Sequence, residues 1–254
     1  MKLCFLIPVY NHKDVLGWIL DQLAPYGLPC ILIDDGSEPA CQAEIERQAA
    51  ARDWVTMDRL PQNGGKGAAV KRGLEVADAM GCTHAFQIDA DGQHNLQDVD
   101  KFIGIAAANE RCLVLGQAKY DESVPKSRLY GRYITHFWVW LETLSFAIKD
   151  TMCGFRVYPV KPALRASSGR HIGLRMSYDI EVVVRMAWLG VPVVSVPTLV
   201  RYPMDGISHF DVLRDNVQIS WTHTKLVAEM LLRLPVLLLR KLLPISLFTY
   251  RERP

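Results

Sequence analysis

Apolar and polar positions follow two periods along the first half of the chain. Residues 2–10, 29–33, 54–60, 83–88 and 112–115 form short apolar runs, which read as strands, the run at 54–60 being the weakest. Between them, residues 14–26, 38–51, 68–80 and 96–109 carry apolar side chains at helical spacing. Strands alternating with helices of this length predict βαβ units, hence an α/β fold on a mostly parallel sheet. After Gly116 the alternation stops. Residues 119–132 are polar and read as a mobile loop, 133–148 as a helix, 153–159 as a short strand, 178–189 as a helix and 191–200 as a strand. A Pro/Gly loop follows over 202–210, and the pattern from 211 to 248 is helical, with breaks expected at Pro235 and Pro244. The expected division is a compact domain over residues 1–210 and a C-terminal amphipathic helical segment over 211–254.

Composition narrows this little. Half of the 254 residues are hydrophobic and 22% are charged, which excludes a disordered chain, a collagen-like repeat and a coiled coil. Lys and Arg exceed Asp and Glu by two, so nothing points to nucleic acid. The six cysteines contain no C-x-x-C pair, and residues 1–11 carry no secretory pattern, so reduced thiols and a cytoplasmic chain are expected. No stretch reaches the roughly 20 apolar residues of a membrane span.

Ligands of open α/β sheets bind beyond the carboxyl ends of the strands, and three polar clusters are expected there. In Asp89-Ala90-Asp91-Gly92-Gln93-His94, two carboxylates at i and i+2 are suited to a cation that bridges to a diphosphate, with Gln93 a third oxygen donor and His94 a ligand or neighbour. The plainer reading is a solvated turn. In Asp34-Asp35-Gly36-Ser37 the carboxylates suit a base or ribose, while Ser37 is expected to cap the next helix and leave both aspartates free. Asn63-Gly64-Gly65-Lys66-Gly67 reads as a phosphate cradle at a helix N-terminus, or as a flexible glycine loop. It lacks the Walker A spacing, and no G-x-G-x-x-G follows the first strand, which weakens ATPase and dehydrogenase readings.

Taken in order, Ile7-Pro8-Val9-Tyr10-Asn11, Ile33–Ser37, Asn63–Ala68 and Ile88–His94 resemble the family 2 glycosyltransferases of GT-A fold. Asp150-Thr151-Met152-Cys153-Gly154-Phe155-Arg156 looks like the family's D-x-x-x-G-F-R stretch, and Tyr178-Asp179-Ile180-Glu181 with Arg185-Met186-Ala187 like its E-x-x-x-R-A helix. The nearest subgroup is the dolichyl/polyprenyl-phosphate sugar synthases. The resemblance implies that Pro8, Tyr10, Asp34 and Asp35 line a nucleotide pocket, joined by Lys66 and Ala90. It implies that Asp89, Asp91 and Gln93 hold Mg²⁺ or Mn²⁺ on a UDP- or GDP-linked sugar. Arg156, with Arg128 or Arg132, becomes a candidate phosphate contact, and Asp179 and Glu181 candidate acceptor-side carboxylates. A hydroxyl acceptor would need one of them as general base, whereas a lipid phosphate is already ionised.

The chain departs from the pattern in two places. His12 and Lys13 stand where the family often has an acidic residue, which leaves the base open. The arginine expected after the late V-P strand is displaced to Arg201, and a loop with His209 follows. The implied reaction is inverting transfer to a lipid-linked acceptor at the cytoplasmic face of a membrane, with closure of 119–132 or 202–210 excluding water. The alternatives are transfer to a saccharide or lipid hydroxyl, a nucleotidyltransferase, and a non-enzymatic scaffold. The tail's apolar runs, edged by Arg233, Arg240, Lys241, Arg251 and Arg253, suit an anionic membrane surface. The other reading packs them on protein, on the domain itself or at a homodimer interface.

Overall fold

The computed structural model describes residues 1–120, 126–169, 172–200 and 212–242. The strands are β1 (Leu3–Val9), β2 (Cys30–Asp34), β3 (Val55–Arg59), β4 (His84–Gln87), β5 (Leu113–Tyr120), β6 (Arg156–Pro159) and β7 (Val193–Val200). They form one sheet in the order β3-β2-β1-β4-β6-β5-β7. All pairings are parallel except those of β6, which runs antiparallel to both β4 and β5. The expected α/β architecture on a mostly parallel sheet is what the chain adopts.

Helices cover both faces, which is why β1 is apolar on every residue and β2 on all but its last. Along β1 the side chains alternate: Cys4 and Leu6 enter one core, Leu3, Phe5, Ile7 and Val9 the other. The second core takes its cover from α1 (Leu16–Leu23), α2 (Pro39–Ala50) and α4 (Val99–Ala108). The first takes it from α3 (Lys66–Ala79), α6 (Val160–Ser167), α7 (Tyr178–Trp188) and α8 (Val212–Leu242).

The second half corrects several expectations. β5 runs on to Tyr120 and α5 (Lys126–Thr143) begins at Lys126, so most of the predicted loop at 119–132 is strand and helix. Helix α6 was hidden by Pro162, which a first helical turn tolerates because its N–H would lack a partner anyway. Pro235 does not break α8, whose 31 residues run through it. The bond it removes would go to the carbonyl of Leu231, an exposed residue where water can replace it. Nor is α8 a detached appendage. Ile219, Leu226, Met230 and Leu237 are buried in the domain core. Its continuation past Leu242, Pro244 included, and the 202–210 loop with Arg201 and His209 lie outside the described residues.

Candidate functional site

Parallel pairing aligns the carboxyl ends of β2, β1 and β4. Val9 stands opposite Asp34, and the Ile88 N–H bonds the Leu6 carbonyl, so the chain leaves all three strands at one edge. A cavity of about 320 Å³ opens there, lined by Pro8 near the end of β1 and Tyr10 and His12 after it, Asp35 after β2, Asn63, Gly65 and Lys66 before and at the start of α3, and Asp89, Ala90 and Asp91 after β4. Arg175 and Met176, just ahead of α7, close another side.

The turns that shape the cavity are built from side chains. Asn11 takes a positive φ of 54°, tolerable for asparagine, and its Oδ1 accepts the Glu38 N–H at 2.9 Å while its own N–H reaches Ser37 Oγ at 3.0 Å. Glu38, not Ser37, is therefore the cap residue of α2, with Pro39 in its first turn. The two aspartates beside it are both engaged, contrary to the expectation that they stay free. Asp34 is fully buried, accepts the Ser37 N–H at 2.8 Å and pairs with Arg59, and it does not line the cavity. Asp35 accepts N–H groups of Gly64 at 2.8 Å and Gly65 at 2.9 Å, and the Asn63 amide at 3.1 Å. Burial raises its pKa, and those backbone donors offset part of the rise. The glycine loop is thus folded around Asp35. Gly65, at φ 96°, occupies a conformation open to glycine.

Beyond β4, Asp89 and Asp91 diverge. Asp91 Oδ1 accepts the Gln93 N–H at 3.0 Å. An ionised carboxylate has about four acceptor positions, so Asp91 retains capacity for a cation. Gln93 enters through its backbone and does not line the cavity. Asp89 points inward. Its Oδ1 accepts from the Gln87 amide at 3.1 Å, and its Oδ2 lies 2.8 Å from Lys66 Nζ and 3.7 Å from His94 Nε2. A Cβ on Gly154 would stand 1.9 Å from Oδ2. The antiparallel pairing of Gln87 with Arg156 brings that glycine alongside, which explains the glycine in Cys153-Gly154-Phe155. Burial works against charge on Asp89, but Lys66 and then His94 hold its pKa well below the carboxylate range. Burial likewise opposes charge on His94, yet its interactions with Asp89 and Cys153 push it up to about 10.

Lys66 also lies 2.9 Å from Asp179 Oδ2. Burial disfavours its charge, and the attraction of Asp179 and Asp89 more than compensates, raising its pKa. Asp179 is buried at the start of α7. Its Oδ1 accepts no hydrogen bond, the nearest nitrogen of Arg156 being 3.5 Å away.

Three expected site residues are engaged away from the cavity. Arg156 is fully buried, with its guanidinium bonded to the carbonyls of Thr151, Cys153 and Asp179 and to the Tyr158 hydroxyl. It faces Asp179, not the cavity. Glu181, also fully buried, bonds Arg185 at 2.8 Å through Oε1 and the Gly173 N–H at 2.9 Å through Oε2. Arg132 pairs with Asp150 at 2.6 Å, whose carboxylate also gathers the Ala118, Met152 and Cys153 N–H groups. The Arg128 side chain lies outside the description. Arg175 was not foreseen. Its one signal in the sequence is a place three residues ahead of Tyr178-Asp179. Among the described residues, no three His, Cys, Asp or Glu side chains converge as a metal cluster.

An α/β sheet with one reversed strand and a carboxylate-lined cavity at its carboxyl edge is the GT-A arrangement of sugar-nucleotide enzymes. The chain belongs to the family described as Glycosyl transferase family 2, whose model matches residues 4–161. It is 28% identical over 217 residues to a dolichyl-phosphate beta-glucosyltransferase of Dictyostelium discoideum, across 76% of this chain and 64% of that protein. It is 26% identical over 218 residues to the Homo sapiens protein of the same name, across 77% and 66%. The chain thus spans just under two thirds of the length of these relatives. Among solved structures it resembles Mycobacterium tuberculosis glucosyl-3-phosphoglycerate synthase in complex with Mn²⁺ and UDP-glucose, with a TM-score of 0.61 and 15% identity over 91% of this chain and 78% of that one.

Proposed function

We propose that the chain is an inverting transferase that moves a sugar from a UDP- or GDP-linked donor to a lipid-linked acceptor, polyprenyl phosphate, with Mg²⁺ or Mn²⁺. The observation that carries the reading is the division of the cavity. Pro8, Tyr10, Asp35 and Asn63 form a side suited to a nucleoside, while Lys66, Asp89, Asp91 and Arg175 form a side suited to a diphosphate. Over the cavity as a whole, two cations, Lys66 and Arg175, face three carboxylates, Asp35, Asp89 and Asp91, and on the diphosphate side the two cations are matched by two carboxylates. An anionic diphosphate therefore needs a further positive charge to enter.

The donors present fit such an ion: Mg²⁺ is held through one or two carboxylates plus substrate phosphates, and Asp91, with Asp89 beside it, offers those oxygens. When bound, the ion neutralises charge on the leaving diphosphate. The chain's own groups do the rest. Asp35 holds the glycine loop that shapes the nucleoside side. Arg175 meets the diphosphate or ribose, and Arg156 fixes Asp179 at the cavity's rear. An ionised lipid phosphate needs no base. The names of the relatives support that acceptor, and the Mn²⁺ and UDP-glucose complex of the structural neighbour supports the donor class.

A membrane-facing side accompanies this reading. α5 exposes Tyr133, Ile134 and Phe137, and α8 exposes Val217, Trp221, Leu231, Leu232 and Leu239, while Arg233 lies over the Trp188 ring and Arg240 donates to the Ala187 carbonyl, with Lys241 beyond them in the last turn. This pattern suits an anionic interface on the cytoplasmic face. No helix among the described residues is long and apolar enough to cross a membrane.

A second reading, transfer to a hydroxyl, draws on Asp179 Oδ1, which accepts no hydrogen bond, and would need Asp179, buried behind Lys66 and outside the cavity lining, to reach the acceptor as a base. Transfer of radiolabelled sugar from UDP- and GDP-donors, offered polyprenyl phosphate or the matching polyprenol in vesicles, separates the two. The proposal expects label on the phosphate alone. Label on the polyprenol, lost in Asp179→Asn, supports the hydroxyl reading instead.

A further inference from the structure

Lys66 joins the carboxylate of the donor side to that of the acceptor side. Its ammonium lies 2.8 Å from Asp89 Oδ2 and 2.9 Å from Asp179 Oδ2, with the side chain 17% exposed. The backbone that carries it is fixed. Lys66 opens α3, the Ala68 N–H donates to the Leu174 carbonyl at 3.1 Å, and a Cβ on Gly67 would meet Tyr178 at 2.4 Å. The start of α3 is therefore pressed against the segment that leads into α7, the helix of Asp179. Neither carboxylate can move toward the cavity without losing this cation.

Asp89 Oδ1 already accepts from the Gln87 amide and Oδ2 from Lys66, so a divalent cation that takes Asp89 from the cavity through Oδ2 meets the ammonium there. Like charges a few ångströms apart in a partly buried site repel strongly. An ammonium and a divalent ion cannot share Oδ2.

We propose that Lys66 is a positioning residue that competes with the divalent cation for Asp89, tying Asp89 to Asp179 and keeping only Asp179 when the cation binds. The inference rests on the metal-dependent reading above and adds a link between the two halves of the site. Loading of the donor side leaves Lys66 paired with Asp179 alone. Metal without nucleotide therefore binds weakly, because it must displace a cation the chain already carries.

The test is a titration of Mn²⁺ alone into the full chain, followed by electron paramagnetic resonance of the free ion, with thermal unfolding in parallel. Lys66→Met should bind Mn²⁺ at least tenfold more tightly than the wild type, and Mn²⁺ should raise its Tm by more. Lys66→Arg, which keeps the charge, should stay weak. Asp179→Asn moves the equilibrium the other way. It leaves the ammonium to Asp89 alone, so Mn²⁺ should bind more weakly than to the wild type, and this holds even if Lys66→Met fails to fold. Wild-type binding of Mn²⁺ that neither Lys66→Met nor Asp179→Asn alters overturns this inference and leaves the proposed function standing. Absence of Mn²⁺ binding to the wild type, with and without UDP, overturns both.

Discussion

At the scale of single residues, the cavity separates groups that point into it from groups that hold them. Asp91 and Arg175 belong to the first kind. Asp91→Ala should weaken Mn²⁺-dependent donor binding by at least about tenfold, or about 1.4 kcal/mol, and leave Tm nearly unchanged. Arg175→Ala removes a charge-assisted contact and should weaken donor binding about tenfold, measured by the same titration. Gly154 belongs to the second kind. Gly154→Ala places a methyl group against Asp89 Oδ2 and should lower donor affinity although the glycine touches no ligand. The motifs were legible in the sequence because short carboxylate and glycine clusters fall at strand ends. What each aspartate does was not. Asp34 and Asp35 are adjacent, yet one is buried against Arg59 and the other holds a loop, because successive residues leaving a strand face opposite ways. Arg156 and Glu181 have charges typical of catalytic groups, and only their buried partners reveal a supporting task.

Elements, taken in pairs, explain the stability of the region behind the cavity. Glu181 and Arg185 of α7 form an ion network with Glu229 of α8, at 2.8 and 2.7 Å from Arg185. Removing one partner of a buried pair is costly, but Lys225 at 3.7 Å keeps part of the compensation of Glu181, so Arg185→Met should cost about 2 kcal/mol, read from denaturant unfolding. A histidine of β4 carries a pH dependence. His84 Nε2 faces the Glu110 carbonyl at 2.8 Å and Nδ1 meets Thr83 Oγ1 at 2.9 Å. Burial, only partly offset by Glu110, lowers its pKa below 6.5. The unfolded chain therefore binds this proton more readily. The contribution of His84 is complete above pH 6.5 and is lost as pH falls through its folded value. His84→Gln should lose less Tm than the wild type between pH 7.5 and 5. The first four βα units were readable from periodicity alone. The second half was readable in part: β6, α7 and β7 fall within the runs expected at 153–159, 178–189 and 191–200, but α6, with a proline in its first turn, was missed, and helix α5 begins within a polar stretch that carries no apolar stripe.

Over the whole molecule, α8 has two faces with different tasks. Its buried residues complete the core, and the opposite side leaves an apolar stripe along a rod of about 45 Å. Sequence periodicity announced an amphipathic helix, but the split between core and surface needed the fold, because leucines occupy both faces. Leu232→Glu with Leu239→Glu should abolish co-sedimentation with anionic vesicles and leave donor affinity intact. Retained sedimentation would remove the membrane from the account.

The account stands on a metal-assisted nucleotide-sugar site at the carboxyl edge of the sheet. Its most direct test is calorimetric titration of UDP- and GDP-sugars into wild type and Asp91→Ala, with and without Mn²⁺. One donor binding the wild type only with the ion, and failing to bind Asp91→Ala, is the predicted result. Equal affinity in all four conditions, or no donor binding by folded wild-type protein, would contradict it.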